Sequence, residues 1–464
     1  MHIIRNHALL IIAGTGSGCG KTSITAGLIS VLRKKGLSVQ PFKVGPDYLD
    51  PTWLSLAASR PCINLDTWMS SPEYVTELVN NKMADADIGI IEGAMGLYDG
   101  ARAISLGGST AEIARLLNAP VILIANACGS SRSFAATVYG FVNFPDAPHF
   151  AGIIANHCGS KHHAEILSEA LSSVHLPALC GAIQNNAFPP LPDRHLGLHS
   201  ASTLTDTSAV IDSLSTACET SLAVDNIVYS AQSEFPVHKT ERFFLPDTNH
   251  AEKKVRIAYA YDNAFHFYYQ DTFDLLSAQG AEFIPFSPLH DNTLPDAIDG
   301  VYLGGGYPEV YAHELSENSA MLSAIRSFAD SGKVVFAECG GLIYCGKSIT
   351  DLDNNTWNLS GILPIDTKMN CTLQRLGYCT IKLRNDCLLG KKGSLLRGHE
   401  FHYSSVVNKT QDISENCFDI SYCNGNATIS GFVKDNILAS YVHLHWGSSP
   451  ETAAAFISAC RSTN

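Results

Sequence analysis

Positive charge is scarce in this sequence, and so is charge of any kind. Charged residues make up 16% of the chain, and 31 lysines and arginines stand against 44 aspartates and glutamates, for a formal net charge of −13. No basic cluster offsets this balance, which argues against a nucleic-acid partner. No apolar run approaches the roughly 18 residues of a membrane helix, and the N-terminus lacks the pattern of a secretion signal. We therefore expect a cytoplasmic protein with no membrane partner.

Paired cysteines are absent as well. The sequence contains 14 cysteines but no C-x-x-C motif, which is the spacing that zinc and iron–sulfur sites commonly use. A long chain without a secretion signal is also a poor candidate for structural disulfides. Most of these cysteines should therefore be small buried hydrophobic side chains, with Cys339 as the exception.

The sequence is long enough, and contains enough hydrophobic residues, to form the cores of two domains. Its 464 residues exceed the usual size of one domain, and 45% of them are hydrophobic. Apolar strands alternate with helical segments, which predicts parallel sheets covered by helices. Residues 226–254 are rich in polar residues and contain no strong strand, which predicts a linker. We predict an α/β fold with one domain over residues 1–225 and a second over residues 255–464.

A glycine-rich loop near the N-terminus carries the clearest chemical signal. It follows a predicted strand, Leu9–Ala13, and leads into a predicted helix that begins at Lys21. In such a loop, backbone N–H groups cradle phosphate oxygens, the lysine reaches the terminal phosphates, and the Thr22 hydroxyl can hold Mg²⁺. The loop is one residue longer than the commonest pattern and resembles that of dethiobiotin synthetase, which uses ATP to activate a carboxylate. The predicted nucleotide-binding residues are Gly14, Thr15, Gly16, Ser17, Gly18, Gly20, Lys21 and Thr22.

Acidic residues follow two further predicted strands. One strand covers residues 37–44 and is followed by a loop with two aspartates, and another ends at Glu92. Ligands of α/β sheets bind at the carboxyl ends of the strands, and P-loop enzymes hold Mg²⁺ with a carboxylate there. Turn formation is the alternative role for these acidic residues. The predicted metal-site residues are Thr22, Glu92 and Asp47, and the predicted substrate residues are Lys43, Asp47, Tyr48 and Asp50.

In the second half, Cys339 has the sequence context of a nucleophile. It follows a predicted strand over residues 333–337 and precedes two glycines, as in a tight strand-to-helix turn that exposes a nucleophile. The helix N-terminus after it should lower the pKa of the thiol and favour the thiolate. Backbone N–H groups of nearby glycines could form an oxyanion hole, for which we predict Gly305, Gly306 and Gly340. A buried structural cysteine is the alternative.

A cysteine nucleophile requires a base, and several histidines could supply it. His399 and His402 lie in one later segment, and His443 and His445 lie in another, where a predicted strand over residues 437–442 ends. The end of a strand is where a histidine can meet a nucleophile on a neighbouring strand. The residues alone do not distinguish His443 from His445.

Together, these motifs resemble the cobyrinate a,c-diamide synthase family over nearly the whole chain. The resemblance implies a dethiobiotin synthetase-like P-loop domain followed by a class I glutamine amidotransferase domain. It favours His443, because relatives carry Tyr-aliphatic-His-Gly here, although Leu444 replaces the glycine. Many class I glutaminases have a carboxylate two residues after this histidine, but this sequence has His445, so a dyad of Cys339 and His443 is predicted. The resemblance is carried by residues 14–22, 41–51, 92–99, 191–198, 304–309, 337–341 and 440–443.

The resemblance also implies a reaction. The expected activity is ATP-dependent amidation of the a- and c-acetate carboxylates of cobyrinate, with ammonia from glutamine, in cobalamin biosynthesis. The corrinoid ring, glutamine and ATP are the expected partners, Mg²⁺ is the expected cofactor, and a homodimer is one option for the assembly. One alternative is the same reaction on hydrogenobyrinate or nickel-sirohydrochlorin. A more distant alternative is a P-loop switch ATPase of the partitioning type, which would have no need for Cys339.

Overall fold

The computed structural model describes residues 8–189, 193–194, 197–198, 207–231, 243–244, 254–410 and 413–463. The chain divides into two compact units, Met1–Thr240 and Glu241–Asn464. Much of the predicted linker, and residues 191, 192, 195 and 196 of the predicted motif over 191–198, lie outside the described residues. The predicted domain boundaries therefore stay a prediction. Within the described ranges, no helix has the length and apolar character to cross a membrane.

The first unit contains a parallel sheet of seven strands. These are β1 (Ala8–Gly14), β2 (Val39–Val44), β3 (Ile63–Leu65), β4 (Ile88–Glu92), β5 (Val121–Asn126), β6 (Phe150–Cys158) and β7 (Leu179–Gln184). They lie in the order β3-β2-β4-β1-β5-β6-β7, and β8 (Asp193–Arg194) pairs separately with β9 (Gly197–Leu198) in an antiparallel arrangement. The helices are α1 (Lys21–Lys34), α2 (Asp50–Ala58), α3 (Pro72–Met83), α4 (Thr110–Leu116), α5 (Arg132–Val142), α6 (Lys161–Ser172), α7 (Thr207–Ser221) and α8 (Val224–Ser230).

The apolar runs explain this sheet. Leu9 to Ala13 are fully buried, as a strand covered on both faces requires. The sequence analysis missed β3 and helices α2 and α3, which lie between its predicted second and third strands. It also placed both aspartates that follow the strand over residues 37–44 in a loop, whereas α2 already begins at Asp50. Pro51 lies in the first turn of this helix, where a backbone N–H has no partner within the helix and its absence costs nothing.

The second unit contains a sheet of ten strands that is parallel in one part and antiparallel in the other. Its order is β12-β10-β13-β15-β24-β23-β22-β19-β20-β25. The strands of the unit are β10 (Val255–Ala260), β11 (Phe265–Phe267), β12 (Ala281–Phe286), β13 (Gly300–Leu303), β14 (Gly305–Gly306), β15 (Val334–Glu338), β16 (Ser348–Thr350), β17 (Thr356–Asn358), β18 (Ile365–Met369), β19 (Arg375–Leu383), β20 (Leu395–His402), β21 (Ser404–Lys409), β22 (Ser414–Tyr422), β23 (Ala427–Lys434), β24 (Ile437–Ser440) and β25 (His443–Leu444).

The helices of this unit are α9 (Gln270–Ala278), α10 (Ala312–Glu317), α11 (Ser319–Asp330), α12 (Gly340–Cys345) and α13 (Pro450–Ser462). The first five strands in the sheet order, β12, β10, β13, β15 and β24, are parallel to their neighbours. From β24 to β25 every pairing is antiparallel. The predicted α/β fold is confirmed, but its antiparallel part was missed.

The antiparallel part of the sheet must curl back on itself. Strands β24 and β25 are separated only by Tyr441 and Val442, so their facing ends are at most about 11 Å apart. In the sheet order, however, four strands stand between them, and a flat arrangement would need about 24 Å. The curl returns His443 to the neighbourhood of β24.

Candidate functional site

The phosphate loop has the predicted conformation. Gly20 adopts a left-handed backbone with φ 91° and starts α1 without a side-chain cap, which leaves the first N–H groups of the helix available to a ligand. The Lys21 ammonium donates to the carbonyls of Gly16, at 3.0 Å, and Met95, at 2.6 Å. Asn156 donates to the Cys19 carbonyl at 2.9 Å, and a Cβ on Gly20 would overlap the Asn156 amide. Only glycine fits at this close approach.

A buried charge cluster lies beside this loop. The Thr22 hydroxyl donates to Glu92 Oε1 at 3.0 Å, and the Lys43 ammonium donates to the same oxygen at 2.7 Å. Lys43 also donates to Asp50 Oδ2 at 2.7 Å and lies 3.7 Å from Asp47 Oδ2. The cluster thus sets one ammonium against three carboxylates, and both Lys43 and Glu92 are almost completely buried.

Burial and, to a smaller extent, repulsion between the carboxylates shift the pKa values of this cluster. Burial raises the pKa of Glu92, and the ammonium of Lys43 only partly opposes this. Burial and the neighbouring Asp50 raise the pKa of Asp47 to about 6. Burial alone would raise the pKa of Asp50, but Lys43 outweighs it and lowers this pKa to about 2. A further cation would relieve the repulsion that remains.

The predicted metal and substrate residues are thus brought together around Lys43. Asp47 also accepts the backbone N–H groups of Leu49 and Asp50 at 2.9 and 3.1 Å, so it forms the turn that was its alternative role. Tyr48 lies in this turn and is half-buried. Among the described residues, no group of three or more His, Cys, Asp or Glu side chains is placed to hold a metal.

Cys339 lies at the predicted strand-to-helix turn. It follows β15 and precedes α12, with φ 48° and ψ −101°, a combination that a residue with a side chain adopts at a cost of about 1–3 kcal/mol. Strain of this kind is typical of a nucleophile elbow. The predicted lowering of the thiol pKa is wrong, because burial and the negative charge of Glu309 raise it. The free chain therefore keeps Cys339 as a thiol, and a base must remove its proton.

The glycines predicted for the oxyanion hole lie next to this elbow. A Cβ on Gly340 would lie 3.0 Å from the backbone nitrogen of Gly306. A Cβ on Gly305 would overlap Cε1 of His443. The backbone of these glycines is therefore close to both the elbow and the ring of His443, where any larger residue would collide.

The structure separates the two histidines that the sequence left open. The His443 ring faces Gly305 and stacks on His399, with ring centroids 5.0 Å apart and planes at 17°. His445 instead lies 3.4 Å from the carboxylate of Asp271, and both are 1% exposed. Burial and the neighbouring histidines lower the pKa of His443, so its imidazole is neutral in the free chain. His402 stacks on Tyr441.

Sequence reasoning missed Glu338, the residue before the nucleophile. Its side chain is 3% exposed and accepts hydrogen bonds from the Tyr302 hydroxyl at 2.7 Å and the Leu444 backbone N–H at 2.8 Å. A signal was present, because Glu338 ends a buried strand directly before a candidate catalytic residue, just as Glu92 ends β4.

Stability should fall with rising pH because of Glu338. Burial raises its pKa from 4.5 to about 7, so between these values the folded chain holds a proton that the unfolded chain has lost. Stability is then highest below the unfolded pKa and falls as pH rises through the folded one. Relative to Glu338→Gln, the free energy of unfolding of the unaltered chain should fall by about 3 kcal/mol across this window. Thermal unfolding of both proteins across the pH range checks this, and parallel curves would contradict it.

Two family models match the chain. One, described as the CobQ/CobB/MinD/ParA nucleotide binding domain, matches residues 10–195. The other, described as the CobB/CobQ-like glutamine amidotransferase domain, matches residues 256–451. The phosphate loop and Glu92 fall in the first match, and Cys339 and His443 fall in the second.

Several relatives match along almost their whole length, and each carries the name cobyrinate a,c-diamide synthase. The protein from Syntrophotalea carbinolica is 46% identical over 454 residues, which cover 97% of this chain and 98% of the relative. One from Dehalococcoides mccartyi is 41% identical over 456 residues, with 97% and 98% covered. The protein from Salmonella typhimurium is 39% identical over 462 residues, with 98% and 99% covered.

Proposed function

This chain belongs to the cobyrinate a,c-diamide synthase family, and from that premise we propose that it amidates the a- and c-acetate carboxylates of cobyrinate with glutamine-derived ammonia at the expense of ATP. The observation that carries the proposal is the presence, in one chain, of a phosphate-binding loop, a strained cysteine elbow and a neutral histidine, the last two packed against the same glycine turn. A P-loop switch ATPase would need only the first of these sites. The family resemblance in the sequence is confirmed by the relatives.

The glutaminase reaction is assigned to Cys339 and His443. His443 takes the thiol proton, and the thiolate sulfur attacks the side-chain amide carbon of glutamine. The C–N bond then breaks, the nitrogen leaves with the proton from His443 as ammonia, and a thioester remains. Water, with His443 as its base, hydrolyses the thioester to glutamate and restores the thiol. The backbone N–H groups of Gly305, Gly306 and Gly340 are the proposed donors to the oxyanion.

The synthetase reaction is assigned to the phosphate loop. A carboxylate oxygen of the ring attacks the γ-phosphorus of ATP, and ADP leaves. Ammonia then attacks the carbon of the acyl phosphate, and inorganic phosphate departs with the electrons of the C–O bond, so that an amide forms. Phosphorylation is needed because a free carboxylate has no good leaving group. The backbone of Gly14 to Gly20 and the Lys21 ammonium would bind the phosphates of ATP.

Mg²⁺ fits the cluster beside the loop. The Thr22 hydroxyl and the Glu92 carboxylate are oxygen donors of the kind this ion prefers. Glu92 Oε2 is buried and has no hydrogen-bond partner among the described residues, so this oxygen is available to bind a metal ion. Bound there with ATP, Mg²⁺ would neutralise charge on the phosphates. Asp47 is the proposed further acidic contact.

The remaining predicted residues have two different roles in this proposal: Lys43 is structural, and the others contact the ring. The donors of Lys43 go to Asp50, Glu92 and the Gly93 carbonyl, so it serves to hold the carboxylates in place. Asp47, Tyr48 and Asp50 are the proposed contacts to the ring. A cytoplasmic location and a homodimeric assembly belong to the same proposal, and fractionation and a sedimentation measurement test them.

The direct test is amidation of cobyrinate, followed by mass spectrometry. With glutamine and ATP, we expect two successive mass steps of one amidation each, and none without ATP. Hydrogenobyrinate and nickel-sirohydrochlorin, assayed in parallel, distinguish the ring alternatives. Turnover of another ring alone would keep the mechanism and change the substrate. If no ring reacted while ATP was hydrolysed, the switch ATPase would be favoured instead.

A further inference from the structure

One buried carboxylate contacts three segments of the proposed glutaminase. Glu338 ends β15, so its backbone leads directly into the elbow at Cys339. Its Oε2 accepts the hydroxyl of Tyr302, which lies on β13 just before the glycine turn. Its Oε1 accepts the backbone N–H of Leu444, the residue after His443. The side chain therefore ties the nucleophile, the glycine turn and the histidine to a single group.

The sheet topology explains why this meeting is possible. Strands β13, β15 and β24 are parallel neighbours, and their carboxyl ends lie at one edge of the sheet. Glu338 pairs with Ser440 in register, and the backbone N–H of Cys339 donates to the Ser440 carbonyl at 2.7 Å. The chain then turns away from β24 to reach β25. On β25, the backbone N–H of Leu444 donates a hydrogen bond to the side chain of Glu338, which lies on β15, the strand that leads into Cys339.

The carboxylate that many glutaminases use to orient the histidine has no counterpart at the usual position here. That position is His445, which faces Asp271 instead. Glu338 reaches the histidine from another direction, through the backbone next to it. Its two hydrogen bonds have good lengths, its side chain is buried, and it directly precedes the strained elbow. Glu338 is therefore placed to anchor the backbone next to both Cys339 and His443.

We propose that Glu338 is a positioning residue of the glutaminase, which holds His443 in reach of Cys339 through its hydrogen bond to Leu444 and holds the glycine turn through Tyr302. The proposal rests on the proposed function. Its chemistry needs an acceptor at Oε1 and not a negative charge as such, because a backbone N–H is the group that it fixes. Glutamine has this acceptor and alanine does not.

Two substitutions of Glu338 test the proposal. Glu338→Ala should lower kcat for glutamine hydrolysis by about 100-fold, the usual effect of misplacing a catalytic group by roughly 1 Å, with little change in KM. Glu338→Gln should restore most of the activity. Tyr302→Phe, which leaves the bond to Leu444 intact, should have an intermediate effect. Glutamate release is measured directly, and ammonia-dependent amidation is measured on the same samples.

A matched control is available at the opposite edge of the sheet. Asp299 is also buried and accepts a backbone N–H, that of Arg256, at 2.8 Å, but it lies before β13 and away from the elbow. Asp299→Ala should lower the thermal midpoint and leave kcat for glutamine unchanged. Thermal midpoints of all variants separate loss of fold from loss of positioning.

Several outcomes would overturn the proposal. Full glutaminase activity in Glu338→Ala would remove the positioning role. Equal losses in Glu338→Gln and Glu338→Ala, with the fold intact, would show that the charge is required. If Glu338→Ala does not fold, glutaminase activity is compared between Glu338→Gln and Tyr302→Phe instead. A loss of activity in Glu338→Gln alone would then overturn the proposal. Absence of glutamate release from the unaltered chain would contradict the proposed function itself and is a distinct result.

Discussion

Cys339→Ser should abolish amidation with glutamine and leave amidation with ammonia at its original rate. The hydroxyl of serine is a far weaker nucleophile than a thiolate, so glutamine hydrolysis should fall by roughly 10³-fold or more. The elbow geometry can be kept, because serine differs from cysteine by one atom. The phosphate loop belongs to the other compact unit and should be unaffected. Glutamate release and ring amidation with ammonium chloride as nitrogen donor are the measurements.

Cys371→Ser is the matched control for this experiment, since Cys371 is an exposed free cysteine in the same unit. It should behave like the unaltered chain with both nitrogen donors. Loss of both activities in a folded Cys339→Ser protein would argue against separable sites. Retention of glutamine-dependent activity would assign the nucleophile to another residue.

Glu92→Gln should have the complementary effect, with amidation lost for both nitrogen donors and glutamine hydrolysis retained. Glu92 accepts the hydroxyl of Thr22 and the ammonium of Lys43, and its other oxygen is the proposed Mg²⁺ contact. An amide is neutral and a much poorer metal ligand, so we expect a loss of roughly 10²-fold or more in ring amidation. The Mg²⁺ concentration needed for half-maximal rate should rise, if residual activity permits its measurement.

Glu77→Gln provides the control for this second variant. Glu77 is a buried glutamate on α3 of the same unit, and it lies outside the cluster around Lys43. Its substitution should leave amidation with ammonia unchanged. Normal amidation by Glu92→Gln would remove Glu92 from the metal site, and loss of glutamine hydrolysis as well would point to a damaged fold.

The sequence was most informative where a site is built from neighbouring residues. The phosphate loop and the elbow at Cys339 each consist of a buried strand, a turn and a helix start, and this local order predicts their geometry. The place of Glu92 could be predicted for a related reason. Parallel strands end at a common edge of the sheet, and a carboxylate at that edge faces the ligand.

Longer-range features could not be predicted in this way. Leu444, whose backbone N–H donates to Glu338, is 106 positions away from it, and no local pattern connects the two. The choice between His443 and His445 depends on what lies opposite each ring, namely Gly305 for one and Asp271 for the other. The pKa of Cys339 was misjudged because the helix terminus is a local feature, whereas burial and the charge of Glu309 come from the tertiary structure.

The curled sheet of the second unit has a consequence for the order of folding. His443 sits on β25, which pairs with β20, and β20 joins the rest of the sheet through strands β19, β22 and β23. The β20–β25 pairing and the hydrogen bond from Leu444 to Glu338 both join residues that are far apart in the chain, and contacts of this kind are slow to form. We therefore expect His443 to be placed late in the folding of the unit, so that a partly folded chain with the Cys339 elbow would lack the proposed base. On the proposed function, such a chain should not release ammonia from glutamine before the fold is complete.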